Sequence, residues 1–478
     1  MSPDPKRMSW LVLGVLIAAE LTSAFEASMI YAALSGLHRI YKDPALVGWL
    51  ITGFLLVSAG AAAVCGRLGD LFGRRSVLLW MLALSALGSA LSAFAGSLEW
   101  IIVGRSIQGM SAAILPLCFG LVRERMPASR VPLALGIVAG TATLGAAFGF
   151  MAGGLVVDHF PWQAMFYVSL AMTILGFAVV WLGLAPSVRA VMTQPLDLIG
   201  GVLFVPAITG IVFAISKAKA WGWVDARVLG LLAAGLVLLL LWVRHELKQP
   251  NPLIDVRLLA NRQIGLANLC FALTAFGSLQ SQMILLPLLQ QPTWTGVGLG
   301  ASATLAGSLI GSVALLGIFC ASWGGNQAGR RGGRHVLLIG TGVLAATWCV
   351  LALHHSSLAF VAGANVFLLF GMTVLYAAVP VLVVEAAPAD RISEATGMSS
   401  VIRAVGGALG SQAIAFTLAS STISDPAHGP GSYPTGAAYT AALTLVTVTC
   451  VLCLIAGWAL PRRTAREQSL ASAALAPH

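Results

Sequence analysis

The chain has 478 residues, of which 58% are hydrophobic and only 9% charged, with a mean hydropathy of +0.91. No soluble core needs that much apolar surface, so the composition excludes an ordinary soluble enzyme or binding module and points to a polytopic membrane protein. The net charge of +10 would suit nucleic acid, but no basic, aromatic-studded polar segment carries it.

Runs of about twenty apolar residues, the length that crosses a bilayer, fall near 10–36, 45–66, 76–95, 100–121, 131–157, 162–184, 196–216, 227–245, 263–290, 297–320, 335–353, 357–384, 392–419 and 437–460. These are fourteen expected spans of an all-α membrane protein. Placing the N-terminus in the cytoplasm puts 20 of the 27 basic residues in inner segments and 5 in outer loops, with Arg105 and Arg403 inside spans. That bias sets both termini on the cytoplasmic side of an inner membrane. Lys6 and Arg7 precede an apolar stretch as in a signal peptide, but the stretch is too long and carries Glu20 and Glu26, so it reads as a retained first span. The seven cysteines lie in or at the ends of spans, without a pairing pattern in outer loops, and are expected to be free thiols. Cys450 and Cys453 form a C-x-x-C inside an apolar helix with no further ligand nearby, which argues against a metal.

Between the second and third spans lies Gly66-Arg67-Leu68-Gly69-Asp70-Leu71-Phe72-Gly73-Arg74-Arg75. Glycines let helix ends approach closely, and the paired arginine holds the loop inside. The spacing G-R-L-G-D-x-x-G-R-R resembles the loop signature of the major facilitator superfamily of secondary transporters. A worn copy, Gly325 to Arg334, begins 259 residues later and is likewise followed by an apolar run. The resemblance implies a major facilitator fold of two related six-helix bundles. With the spans near 196–216 and 227–245 as an inserted pair, the 14 transmembrane helices are similar to the fourteen-span drug:proton antiporter branch. The expected organisation is an N-terminal bundle over 1–190, the inserted pair and linker over 191–260, a C-terminal bundle over 261–465 and a cytoplasmic tail over 466–478. In that family the acid of the loop meets an arginine and a helix end to latch one conformation, which implies a latch of Gly66, Gly69, Asp70, Gly73, Arg74 and Arg75, with Arg391 as a further partner for Asp70.

In the first span, Phe25 to Ser35 resembles the pattern L-D-x-T-I-V-N-V-A-L-P of the fourteen-span antiporters, with Glu26, Tyr31 and Ser35 departing from it. An ionised carboxylate at membrane depth costs about 2.5 to 3.5 kcal/mol, so Glu26 is expected to face the bundle interior and exchange a proton. Its alternative is a structural ion pair. Glu20 has no counterpart in the pattern. It is either a second protonation or substrate-binding site or a group in the cytoplasmic vestibule. In the fourth span, Arg105 to Ala113 resembles R-x-x-Q-G-x-G-A-A, which the family ties to proton transfer. Arg105 lies about 8 Å and Glu26 about 15 Å from the outer ends of their helices, so an ion pair between them is expected, with snorkelling of Arg105 to the interface as the alternative.

Gly136, Gly145, Gly149, Gly153 and Gly154 in the fifth span resemble the family's antiporter signature, except that Phe150 replaces its proline. They are expected to form a groove that seals against a helix of the other bundle. Ordinary small-residue helix packing is the alternative. Arg403, in a stretch of the thirteenth span that also resembles the antiporters, has no acid in its own bundle. It would neutralise an anionic substrate or reach Glu20. Gln280, Gln282, Asn365 and Tyr376 complete the expected substrate cavity, with Asn268 as a further polar candidate and Phe276, Met283 and Met372 as soft lining.

These features imply a monomeric secondary transporter that works by alternating access, exchanging protons for a small-molecule substrate across the lipid bilayer. It needs no cofactor beyond the proton motive force, no metal and no nucleic acid. Proton-coupled import of a small, possibly anionic, metabolite is the alternative. A membrane-embedded lipid enzyme is more remote, because the eight histidines are scattered over span ends and loops.

Overall fold

The computed structural model describes residues 5–41, 43–127, 130–186, 198–249, 256–387, 392–425 and 432–461. The chain is almost wholly helical there. In order, the helices are α1 (Pro5–Tyr41), α2 (Pro44–Phe72), α3 (Arg74–Ala93), α4 (Leu98–Gln108), α5 (Ile114–Arg125), α6 (Val131–His159), α7 (Ala164–Gly183), α8 (Leu198–Trp221) and α9 (Ala226–Lys248). They continue with α10 (Arg262–Phe276), α11 (Ser281–Gln290), α12 (Ala303–Leu315), α13 (Gly317–Arg331), α14 (Gly333–Leu353), α15 (Leu358–Ala386), α16 (Ile392–Ala419) and α17 (Gly436–Trp458). Three expected spans are each two helices in series. A 3₁₀ turn over Gly109–Ala113 joins α4 to α5, another over Ser278–Gln280 lies between α10 and α11, and α12 passes almost directly into α13. A two-residue antiparallel pairing, Thr422–Ile423 with Tyr433–Pro434, precedes α17.

Twelve stretches of the described residues are long and apolar enough to cross a bilayer, and the apolar stretches Leu46–Ala61 and Ile199–Ile215 fall at the two remaining expected spans. Helix faces carry large apolar side chains outward, among them Leu182, Leu353 and Phe319. That is the surface of a protein solvated by lipid rather than water.

Side chains cap several helix ends. The Asn261 side chain accepts the main-chain N–H of Gln263 (2.9 Å) and Ile264 (3.3 Å), Asp225 accepts that of Arg227 (2.7 Å), and Thr435 accepts that of Ala438 (3.3 Å). Two abrupt reversals rely on glycine instead. Gly73, between α2 and α3, has φ 86° and ψ 130°, and Gly332, between α13 and α14, has φ 88° and ψ 149°. Only glycine takes such angles without strain. The two lie 259 residues apart, so the repeated loop of the sequence makes the same turn twice.

The chain resolves into two compact units. Unit 1 comprises Met1–Tyr41, Leu46–Leu198 and Ser302–Leu315, and unit 2 comprises Lys42–Ala45, Ile199–Ala301 and Leu316–His478. Leu16, Leu78, Leu82, Cys118 and Leu121, from α1, α3 and α5, are fully buried at the core of unit 1. Unit 1 also holds α12, which packs along α6. In unit 2, α10 and α14 to α17 pack together, with Trp348 fully buried and its indole N–H donating to Ser278 Oγ at 2.9 Å. The pair α8 and α9 meets through Ala214, Ala218 and Val228, with Phe204 and Trp242 in ring contact at 4.7 Å.

Candidate functional site

Glu26, on α1, is 1% exposed, at the centre of a ring of hydroxyls. Ser85 Oγ donates to Glu26 Oε2 in a short hydrogen bond, while Ser169 (2.8 Å), Thr173 (3.0 Å) and Ser89 (3.2 Å) donate to Oε1. Ser85 and Ser89 stand one turn apart on α3, and Ser169 and Thr173 one turn apart on α7, so two helices each present a hydroxyl pair to the acid. Two of these hydroxyls have a second acceptor in reach. Ser89 Oγ lies 3.0 Å from the Ser85 carbonyl and Thr173 Oγ1 lies 2.7 Å from the Ser169 carbonyl. A hydroxyl both donates and accepts. The ring can therefore donate to a charged carboxylate, or turn to the backbone and accept from a protonated one, without any heavy atom moving.

Arg105, on α4, is 1% exposed and does not make the expected ion pair with Glu26. Its Nη1 donates to the main-chain carbonyl of Glu26 (2.9 Å) and to Gln108 Oε1 (2.8 Å), its Nε donates to the Leu50 carbonyl (3.3 Å), and its guanidinium lies 4.6 Å from the Phe54 ring centroid. Four hydroxyls already donate to the carboxylate, three of them to Oε1 and one to Oε2. The link runs through Gln108 instead, whose Nε2 donates to Ser89 Oγ at 2.6 Å. Arg105, Gln108, Ser89 and Glu26 thus form one chain of hydrogen bonds. Arg105 does not snorkel. The acids and hydroxyls of this chain were not all marked in the sequence: Glu26 and Arg105 were expected, whereas Ser85, Ser89, Ser169 and Thr173 were missed. The available signal was two hydroxyl pairs at helical spacing within otherwise apolar spans.

Glu20, also on α1, is 3% exposed, and its Oε2 has no hydrogen-bond partner. A buried carboxyl oxygen left open in this way is costly unless a proton or a ligand fills the gap.

The five glycines of α6 divide by what they face. A Cβ on Gly145 would sit 2.6 Å from Ala24 Cβ, one on Gly149 would strike Ser28 Oγ, and one on Gly153 would lie 2.8 Å from the Met29 carbonyl, so all three pack against α1 of the same unit. Gly154 alone presses on α12, at the Ala303 carbonyl, and Gly136 touches nothing within 4 Å. The glycine face thus seats α1 through three residues and, through Gly154, meets α12, which lies in the stretch 261–465 expected as the C-terminal bundle. Gly307 and Gly311 of α12 meet the carbonyls of Phe150 and Ala147 from the other side. Where these helices meet, Asp158 accepts the backbone N–H of Ala303 (2.9 Å) and Thr304 (2.6 Å), capping the start of α12.

In the loop, Gly66 and Asp70 lie within α2, and their side chains, like residue Arg391, are outside the described residues. Gly69 is buried, where a Cβ would come 3.0 Å from Leu117 and 3.1 Å from the Arg74 side chain. Arg74 Nη1 donates to the Gly120 carbonyl at 2.9 Å. Arg75 Nη2 donates to the Trp181 carbonyl (2.7 Å), and its guanidinium lies 5.5 Å from that indole. Arg334, the counterpart of Arg75 in the second copy, does the same at Trp458, with 3.0 Å to the carbonyl and 5.8 Å to the ring.

In unit 2, Gln280 (1% exposed) and Asn365 (4%) are buried, and Gln282 is half-buried with its Nε2 on Ser281 Oγ at 3.3 Å. Arg403 is half-buried, with its guanidinium 6.0 Å from the Tyr376 ring centroid.

A polytopic helical protein with a glycine-turned internal repeat and a buried acid linked to an arginine has the features of a membrane transporter, and the comparisons with known proteins point the same way. The sequence model described as Major Facilitator Superfamily matches residues 16–195. That match lies in the N-terminal part of the chain, and the curated relatives it resembles there and beyond are named as transporters. Among curated proteins it is 29% identical over 423 residues to the tetracenomycin C resistance and export protein of Streptomyces glaucescens, covering 86% of this chain and 75% of the relative. It is 28% identical over 413 residues to the multidrug efflux pump LfrA of Mycolicibacterium smegmatis, covering 84% and 79%. Among solved structures, the nucleoside transporter NupG superposes with a TM-score of 0.70 over 94% of this chain and 99% of that one, at 11% identity.

Proposed function

We propose that this protein is a proton-coupled exporter of small organic compounds, of the fourteen-span branch, working as a monomer in the cell's inner membrane with both termini in the cytoplasm. One observation carries the coupling: the Glu26 carboxyl sits among hydroxyls that satisfy it in either protonation state. Such an acid can stay in place while its proton comes and goes. Arg105, fixed through Gln108 to the same hydroxyl ring, senses the change, because its positive charge is balanced when Glu26 is ionised and unbalanced when it is not. Alternating access then exposes the ring to the outer phase, where it loads a proton, and to the inner phase, where it releases one as substrate binds. The relatives named as an export protein and an efflux pump support the outward direction.

Accumulation screening in cells stripped of efflux pumps would identify a carried compound. That compound, added to weakly buffered purified protein, is expected to release protons. Proton uptake on binding would indicate symport and overturn the export reading.

A further inference from the structure

Arg403 is a cation inside the apolar span of α16, and among the described residues no carboxylate lies within 4 Å of it. An arginine held at that depth without a counter-ion is costly and calls for a partner. What surrounds it has the form of half a binding site. Tyr376, on α15, offers its ring to the guanidinium at 6.0 Å and is itself met edge-on by Phe271 of α10 at 5.0 Å. Asn268 Oδ1 is buried without a hydrogen-bond partner, and the buried Tyr376 hydroxyl has none but the Arg403 guanidinium beside it.

The packing of α16 on α10 brings these groups to one level. Gly406 fits at the Ala272 carbonyl (2.8 Å from a Cβ placed on it) and Gly410 fits at the Phe276 carbonyl, so the two helices keep step. About one turn back along both, the same register puts Arg403 and Asn268 at similar height on the two helices. The cluster thus combines a guanidinium with no carboxylate partner, a phenol O–H that can still donate, an unpaired amide oxygen and two aromatic rings. A planar anion on an aromatic body meets each demand. Its acidic oxygens accept from Arg403 and the Tyr376 hydroxyl, a neighbouring hydroxyl on the same body donates to Asn268 Oδ1, and its rings lie against Phe271 and Tyr376.

We propose that Arg403, Tyr376, Asn268 and Phe271 form a subsite for aromatic acids, holding a carboxylate or phenolate of the carried compound. This rests on the export reading and names the charge class of what is exported. The test uses the full chain in lipid nanodiscs, titrated with 2-naphthoate and with its neutral isostere 2-naphthamide. Wild type is expected to bind the carboxylate more tightly. Arg403→Gln should weaken 2-naphthoate by about tenfold or more, the loss of a charge-assisted hydrogen bond, while 2-naphthamide stays within about twofold. Tyr376→Phe, which keeps the ring, should weaken the carboxylate several-fold, and it serves as the deciding variant should Arg403→Gln fail to fold. Equal binding of the two probes by wild type, or equal loss of both in the variants, overturns the proposal. Failure of the export reading would look different, as charge-selective binding intact but proton release absent.

Discussion

Replacing Glu26 by glutamine separates coupling from folding. Of the four hydroxyls on the carboxylate, Ser89, Ser169 and Thr173 donate to Oε1 and Ser85 donates to Oε2. Glutamine with its carbonyl at the Oε1 position keeps the first three. Its amide N–H₂ replaces Oε2 and donates to Ser85 Oγ, whose own hydrogen can turn to the carbonyl one helical turn back. The number of hydrogen bonds is unchanged, so stability should shift by no more than about 1 kcal/mol. Coupling should be lost altogether, because an amide neither gains nor loses a proton near neutral pH. One pH unit across the membrane is worth about 1.4 kcal/mol per proton exchanged, equal to a tenfold substrate gradient. In liposomes with one imposed unit, wild type should build a gradient of about tenfold per proton exchanged. Glu26→Gln should only equilibrate the compound, while still exchanging labelled for unlabelled substrate. A Glu26→Gln protein that holds the wild-type gradient would refute the assignment and turn attention to Glu20.

Further predictions concern the parts that hold this acid. Arg105→Lys cannot reach the Glu26 and Leu50 carbonyls and Gln108 together while stacking on Phe54, so it should lose about 1 to 3 kcal/mol in a detergent melt and slow proton-driven transport. In α6, Gly149→Ala strikes Ser28 Oγ and should destabilise by about 1 to 3 kcal/mol, whereas Gly136→Ala, open on all sides, should be neutral or slightly stabilising. Equal melts for the two would show that the glycine series is not a seat for α1. Gly73→Ala and Gly332→Ala should each cost about 1 kcal/mol or more, since both turns need φ near +87°. Asp158→Ala removes both caps on the start of α12. It should raise labelling of a cysteine placed at Leu305 by a membrane-impermeant maleimide, and unchanged labelling would argue that the cap does not hold the helix in place.

The spans were legible because fourteen apolar runs in so uncharged a chain have few other uses. The repeat was legible because its turn demands glycine at a fixed place, and Gly73 and Gly332 take nearly the same angles. The acid and the arginine were legible as rare charges at depth. Their true partners were not. A serine or threonine in an apolar helix usually bonds the carbonyl one turn back, as Thr341 does to Leu337 and Thr373 to Leu369. Taken singly, neither Ser169 nor Thr173 differs from these, and only their pairing at helical spacing sets them apart. Arg105 chose a main-chain carbonyl, which carries no mark in any sequence. The Trp181 and Trp458 anchors escaped for another reason: they lie 277 residues apart, against 259 for the loops they hold, so a search at one fixed offset passes them by.

The two copies keep the same scaffold and diverge in chemistry. Each turns on a glycine, and each clamps an arginine onto the carbonyl and ring of a tryptophan near the end of its last span, Arg75 on Trp181 and Arg334 on Trp458. Those contacts lie near the helix ends and are indifferent to what is carried. Within the spans the copies part company. Unit 1 buries Glu26 among hydroxyl donors, while unit 2 holds Arg403 beside aromatic rings. If duplication supplied one frame twice, the proposed proton handling and substrate recognition could be tuned separately, because the side chains that bond Glu26 and those that meet Arg403 are different sets. Double-mutant cycles should therefore show Thr173→Val and Gln108→Leu coupling strongly to each other through the shared ring. Each should be near additive with Tyr376→Phe, to within about 0.5 kcal/mol in melting free energy. Strong coupling between Thr173 and Tyr376 in the melt would show that the two chemistries are not separable as this division of labour requires.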